Sequence, residues 1–279
     1  MTISQWLMTI ILAVLALEII TGRHKNIYKK EDVIVTVAAF LATRAVTSPL
    51  IAFCIASFLA FAFPGFHNAL SDVPVIPAAI VMILVGEFLL YWVHRWSHNA
   101  LQHPILHGMH RTHHAATYLN ITVMGRINLF WPLVHPYGWV SGIALYLGMV
   151  EASAIFFLLL LAWNAFTHSD FRWDDLVVRY VPAGEQWLRV IEWVFVTPRL
   201  HHTHHGYGRD GKGYRNFCTM ITIYDRLFGT LYTPSGRPDY YGILGRHRDW
   251  KEQLFFPLIN GSSVSSKNVL GAKISAENK

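Results

Sequence analysis

Of the 279 residues, 53% are hydrophobic and only 14% charged, and mean hydropathy is +0.32, against about 25% charged residues in an ordinary soluble domain. The net charge of +6 is carried by dispersed Lys and Arg, which suit an anionic lipid surface, so a membrane protein without a nucleic-acid partner is expected. Two distant cysteines, Cys54 and Cys218, exclude a disulfide framework and a cysteine-ligated zinc or iron–sulfur site.

In chain order, the apolar runs mark helices near the roughly 20 residues that cross a bilayer. Residues 1–20 lack a basic leader and a small-residue cleavage site, so Ile3–Ile20 reads as a retained helix. Residues 33–63 are too long for one simple span and are interrupted by Arg44 and Pro49. They hold one long tilted helix, or an interfacial piece followed by a span. Residues 73–93 form a third candidate. Residues 129–147 and 152–166 read as a tight helical hairpin turning at 148–151, its second arm short for a full crossing. Loop charges give the orientation. Four basic residues lie in 21–32, none in 64–72 or 148–151, three in 94–128 and fifteen in 167–279. The N-terminus is then outside and both long charged regions are cytoplasmic. The expected architecture is an all-α integral membrane protein of four to five membrane helices with a cytoplasmic helical cap. It divides into N-terminal membrane helices over 1–84, a catalytic region over 85–259, and a Ser/Asn/Lys-rich disordered tail over 260–279.

Eleven of the sixteen histidines fall in four clusters on that cytoplasmic side. "HRWSH" carries His94 and His98, spaced i and i+4. "LHGMHRTHH" carries His107, His110, His113 and His114. "WNAFTH" carries Asn164 and His168, again i and i+4. "TPRLHHTHHG" carries His201, His202, His204 and His205, with Thr197 as cap and Pro198 in the first turn of a short helix. Residues at i, i+3 and i+4 share a helix face, so His110, His113 and His114 form one triangle, and His201, His204 and His205 another. Neutral imidazole is a ligand for iron and zinc. Nine imidazoles (His94, His98, His110, His113, His114, His168, His201, His204, His205) exceed what one ion coordinates, so two metal ions are expected. A lone HxxxH pair fits surface histidines equally well; the full constellation at helix ends does not. His107 is either a ligand or a neighbouring hydrogen-bond donor. His202 points away from its triangle, toward the surface or a supporting contact. His24, His67, His103, His135 and His247 read as structural.

"HRWSH", "HRTHH" and "HHTHH", with the later "NFCTMITIYDRLFGTLY", resemble the fatty acid hydroxylase/sterol desaturase superfamily of membrane di-iron oxygenases. The resemblance runs from about residue 85 to 233 and includes the aromatic lead-in "EFLLYWVHR", Thr197-Pro198, Asn216, Asp225 and "LFGT". Departures are Tyr224 where Trp is more frequent, Cys218 where Gly is common, and Asn164 where some relatives have a further histidine. The resemblance implies two iron ions and dioxygen, a lipid substrate (sterol, fatty acyl or related) and hydroxylation or desaturation of a C–H bond. It also implies a separate electron donor of cytochrome b5 or ferredoxin type with its reductase. The setting would be a bacterial inner membrane, or the endoplasmic reticulum in a eukaryote. Glu87, seven residues before His94, and Asp225 are candidates for orienting the ligand rings, as is Asp170, and each also suits a capping or solvated carboxylate. Asn164 would hold a water on one iron and leave a position for dioxygen. Tyr91, Trp92, Trp96, Tyr118, Trp131, Trp163 and Trp173 suit a lipid channel or an interfacial belt, and the belt is expected for most.

Two other classes use histidines. A metal transporter places polar residues within the spans, whereas these histidines gather at helix ends. A bis-histidine haem protein needs two rings across a haem, not triads.

Overall fold

The computed structural model describes residues 3–260, so the expected tail lies, from residue 261 onward, outside the described residues. The chain is mostly helical. Helix α1 spans Ile3–Ile20, α2 Lys30–Leu41 and α3 Ser48–Ala62, with a π-helical turn, Ala42–Thr47, joining α2 to α3. Helix α4 spans Val75–Ser97, α5 Pro104–His114, α6 Trp131–Val134, α7 Pro136–Tyr146 and α8 Val150–His168. The cap continues with α9 (Trp173–Tyr180), α10 (Gly184–Ile191), α11 (Pro198–His205), α12 (Ile223–Leu227) and α13 (Trp250–Phe255). Two two-residue strands, β1 (Gly206–Tyr207) and β2 (Tyr240–Tyr241), pair antiparallel.

Among the described residues three helices are long and apolar enough to cross a membrane: Lys30–Ala62, Val75–Ser97 and Val150–His168; the apolar stretch of α1 is shorter. Helix α4 shows why they form and how they sit. Ala79, Met82, Ile83, Gly86, Glu87, Leu90, Tyr91, His94 and Ser97 repeat at three- and four-residue steps and are all buried, the period of one helix face. The other face exposes Ile76, Ile80, Val81, Leu84, Val85, Phe88 and Leu89. An apolar face of that extent needs a nonaqueous neighbour, and lipid supplies it.

The 30–62 segment is one continuous helix of 33 residues, longer than a single crossing requires. Pro49 cannot donate to the helical ladder, and the π turn ahead of it absorbs the irregularity. The α2 part packs on α13 at the cap and the α3 part on α7 in the apolar layer, and the segment is one long helix, as the first of its two readings had it.

The expected hairpin is corrected in both arms. The first, 129–147, breaks at His135-Pro136 into α6 and α7, because proline disfavours helical geometry at the residue before it. The second begins at Val150, not Ala152, and its 19 residues are long enough to cross.

Helices α4, α7 and α8 pack together and α1 packs on α8. Their shared core is Ala79, Met82, Ile83, Val140, Ala144, Ile155, Phe156 and Leu160. Gly86 lets α8 approach, since a Cβ there would fall 2.9 Å from the Phe156 ring. Helix α5 packs on the end of α4, and α11 on the end of α8. All four histidine segments therefore meet at one level.

Candidate metal centre

The nine expected histidines converge into two sets: His94, His98, His110, His114 and His204, and His113, His168, His201 and His205. Within each set the ligand nitrogens lie within 4.8 Å of one another. An ion holding imidazole nitrogens at about 2.0–2.1 Å brings its ligands to about that spacing. The sets do not follow the sequence triangles. His113 leaves its box to join the α8 and α11 histidines, and His204 leaves its own to join those of α4 and α5. Each HxxHH box is thus shared between the two sets, and the stacked His114 and His205 rings, 4.2 Å apart, mark where the sets touch.

Backbone carbonyls fix the tautomers. His94 Nδ1 meets Phe217 O at 2.6 Å, His113 Nδ1 meets Arg126 O at 3.3 Å, His168 Nδ1 meets Asn164 O at 2.8 Å and His204 Nδ1 meets Arg215 O at 2.7 Å. A carbonyl only accepts, so each Nδ1 carries the proton and each Nε2 presents a lone pair. His168 Nε2 and His113 Nε2 then face each other at 3.1 Å, lone pair to lone pair. The buried Nε2 atoms of His94 and His204 have no hydrogen-bond partner. Such an arrangement is repulsive alone and is relieved by a cation between the nitrogens. Burial, and then neighbouring imidazoles, push His98, His110, His114, His201 and His205 well below the usual histidine range. The rings are neutral at physiological pH, which is the ligating form. The donor set fits two metal ions of the nitrogen-preferring kind.

The supporting carboxylates act on backbone. Glu87 accepts from the amides of Thr219 (3.1 Å), Met220 (2.9 Å) and Ile221 (3.2 Å), from Thr219 Oγ1 at 2.5 Å, and from the Tyr137 hydroxyl. Asp225 accepts from the amides of Phe217 and Cys218, both at 2.8 Å, and from Thr230 Oγ1 at 2.7 Å. Together they pin residues 217–221, whose Phe217 carbonyl holds His94. Neither meets a cluster histidine directly. Asp170 pairs with Arg172 at 2.6 Å and Arg23 at 3.6 Å, away from both sets.

Helix α11 is anchored differently from the expected Thr197 cap. The Thr197 hydroxyl donates to Glu192 at 2.6 Å, and the carboxylate of buried Asp174 accepts the Arg199 amide at 2.6 Å, satisfying the helix start. The Arg199 guanidinium is buried against Glu192 and Glu185, at 2.6 and 2.8 Å. His202 is fully buried rather than superficial and spends both ring nitrogens, on Ser169 O at 3.1 Å and Tyr241 Oη at 2.9 Å. His107 lies outside both sets and donates to Ser97 O at 2.9 Å. Sequence reasoning missed Glu18, a fully buried carboxylate of α1 that accepts the Ile121 amide at 3.0 Å and the Asp170 amide; its only signal is a lone acid in an apolar run.

A chamber adjoins the histidines, lined by His94, His110, His113, His168 and His201 and by Leu90, Met109, Ile127, Trp131 and Phe157 among others. Asn164 lines it too, its buried Oδ1 without a hydrogen-bond partner and its backbone carbonyl on His168. Trp131 is buried 4.8 Å from the His110 ring and Tyr91 is fully buried, so neither belongs to an interfacial belt. A second opening reaches His98, His110, His114, His204 and His205 through Gly206, Gly211, Gly213 and Gly242.

Residues 79–230, more than half of the chain, match the fatty acid hydroxylase family. The chain belongs to that family. Three curated relatives lie within the same group of lipid enzymes. It is 24% identical to methylsterol monooxygenase 1-3 of Arabidopsis thaliana, over 56% of this chain and 48% of that one. It is 28% identical to alkylglycerol monooxygenase of Danio rerio, over 61% and 34%. It is 29% identical to ornithine lipid hydroxylase OlsE of Rhizobium tropici, over 70% and 53%. The match spans about half or less of each relative's length. No solved structure matches the chain significantly. As a fatty acid hydroxylase family member, the protein carries eight of the nine ligand candidates on helices and His98 directly after α4, at ends that the fold brings together.

Proposed function

We propose that this protein is a membrane lipid hydroxylase or desaturase that holds two iron ions, one in each histidine set. The observation that carries this is the opposed pair of Nε2 lone pairs, His113 to His168 at 3.1 Å, whose Nδ1 protons are committed to carbonyls. Iron bound there would supply activation of dioxygen toward an unactivated C–H bond. The chain's own part is to orient the rings through the carbonyls of Phe217, Arg126, Asn164 and Arg215. The chamber wall excludes water from the reacting bond and holds the lipid beside the rings. Glu87 and Asp225 are positioning residues that fix the Phe217 carbonyl. Asn164, its side-chain oxygen facing the chamber without a partner, would hold a water near one ion and keep a position open.

The chain's two electrons would come from a separate protein. Arg209, 82% exposed, and Lys212 lie beside Gly211 and Gly213, which line the second opening, and so offer an acidic carrier of cytochrome b5 or ferredoxin type a docking face on the cytoplasmic side. Lipid mass spectrometry of cells with and without the protein tests the function. A lipid gaining one oxygen, or losing two hydrogens, only when the parent protein is present supports it. The same product with His205→Ala would contradict it.

A further inference from the structure

The chamber beside the histidines carries one fixed charge that the proposed chemistry does not use. Arg44 sits in the π turn between α2 and α3 and lines the chamber with Thr43, Ser48, Asn128 and His135. No Asp or Glu lines that chamber among the described residues. Among the described residues the guanidinium makes no hydrogen bond or ion pair: its Nε is buried without a partner, the Phe157 ring lies 5.9 Å away, and the neighbours that act on it electrostatically, Tyr137 and His135, carry no negative charge. Glu87, behind Tyr137, is already saturated by the 219–221 amides, Thr219 and Tyr137 and has no capacity left for it. A half-buried cation whose neighbours supply no counter-ion is costly, and its unpartnered donors suit an anionic ligand in the chamber. Its depth agrees. The 33-residue helix exceeds one crossing, and assigning its last 20 or so residues to the bilayer leaves Arg44 at the headgroup boundary, level with the histidines.

We infer that Arg44 is the counter-ion for an acidic lipid substrate, its planar fork taking the carboxylate or phosphate of the headgroup while the histidine sets face a nearby carbon of the chain. Apolar Leu90, Met124, Ile127 and Phe157 of the same wall receive the hydrocarbon. A guanidinium matches either oxyanion bidentately. The inference rests on the chamber being the lipid site of the proposed hydroxylase.

The test is equilibrium binding of radiolabelled oleate, 1-oleoyl lysophosphatidate and oleyl alcohol to the purified full chain in neutral detergent. At least one anion should bind about tenfold or more tightly than the alcohol, the range of a charge-assisted contact; which anion wins separates carboxylate from phosphate. Arg44→Gln should erase that preference while still binding the alcohol, and Arg44→Lys should keep part of it. Equal binding of all three probes to the parent protein, or a preference that survives Arg44→Gln, overturns the assignment. Trp131→Ala and Phe157→Ala tell this failure from failure of the chamber itself. Weaker binding of every probe leaves the chamber standing as the lipid site, and unchanged binding, or no binding to the parent, removes both.

Discussion

His94 and Glu87 stand two turns apart on α4, yet they cooperate through the backbone of another segment. Glu87 gathers the amides of 219–221, Asp225 those of 217 and 218, and the Phe217 carbonyl between them accepts a hydrogen bond from His94 Nδ1. Glu87→Gln puts an amide donor against backbone donors and should cost about 1–3 kcal/mol of stability. It should also weaken metal binding in the five-histidine set without removing a ligand, as thermal unfolding and metal titration of the purified variant would show. Asn164 behaves differently. Asn164→Ala should retain most of the metal and lose part of the rate, whereas Asn164→His should hold metal at least as well and turn over more slowly. Parental metal content and turnover in both variants would make Asn164 structural. At this scale the nine histidines were legible because i, i+3 and i+4 spacing puts rings on one helix face. Their division into sets was not, since which ring of one helix meets which ring of another depends on packing. Glu87 and Asp225 stood out from spacing and resemblance, but not their work on backbone amides. Glu18 was missed because a single acid within an apolar helix carries no partner in its own sequence neighbourhood.

Helix α5, which carries three of the nine clustered histidines, is held from behind by α13. A Cβ on Gly108 would fall 2.1 Å from the Phe256 ring, Arg248 donates to the Gly108 carbonyl at 2.6 Å, and Thr112 Oγ1 donates to Gln253 O at 2.7 Å. Gly108→Ala should therefore push the two helices apart, costing about 1–3 kcal/mol, and release metal more readily. A variant with parental melting temperature and metal affinity would show that this contact does not position α5. Helix α11 depends on a buried ion pair. Arg199→Leu strands the Glu192 carboxylate and should destabilise by about 3–5 kcal/mol, read as a lower melting temperature in detergent. The short helix α11 was legible from Pro198 at a first-turn position. The anchor of α11 was not, because Asp174 reaches its first turn from 25 residues away. The broken hairpin arm has a local cause that hydropathy masks: the 129–147 run is largely apolar, and its break falls at His135-Pro136.

Across the molecule, exposed Ile, Leu, Val and Phe cover α1 to α4, while exposed Arg209 lies in the histidine-bearing cap, near the glycines of the second opening. That placement supports an electron carrier approaching at Arg209 and Lys212. Arg209→Glu with Lys212→Glu should slow reduction by the physiological donor several-fold and flatten its salt dependence, followed by stopped-flow under nitrogen. Membrane character was legible from composition alone; against the four to five membrane helices expected, three among the described residues are long and apolar enough to cross. How the 33-residue segment divides between cap and bilayer needed the packing of α2 on α13 and of α3 on α7.

Metal stoichiometry decides whether two histidine sets mean two ions. Purified full chain, loaded anaerobically with ferrous iron and desalted, should hold two irons per chain by elemental analysis, and a variant with His113, His168 and His205 changed to alanine should hold one, in the intact set of His94, His98, His110, His114 and His204. One iron or none in the parent protein, or two in the triple variant, would contradict a dinuclear centre built from these nine residues.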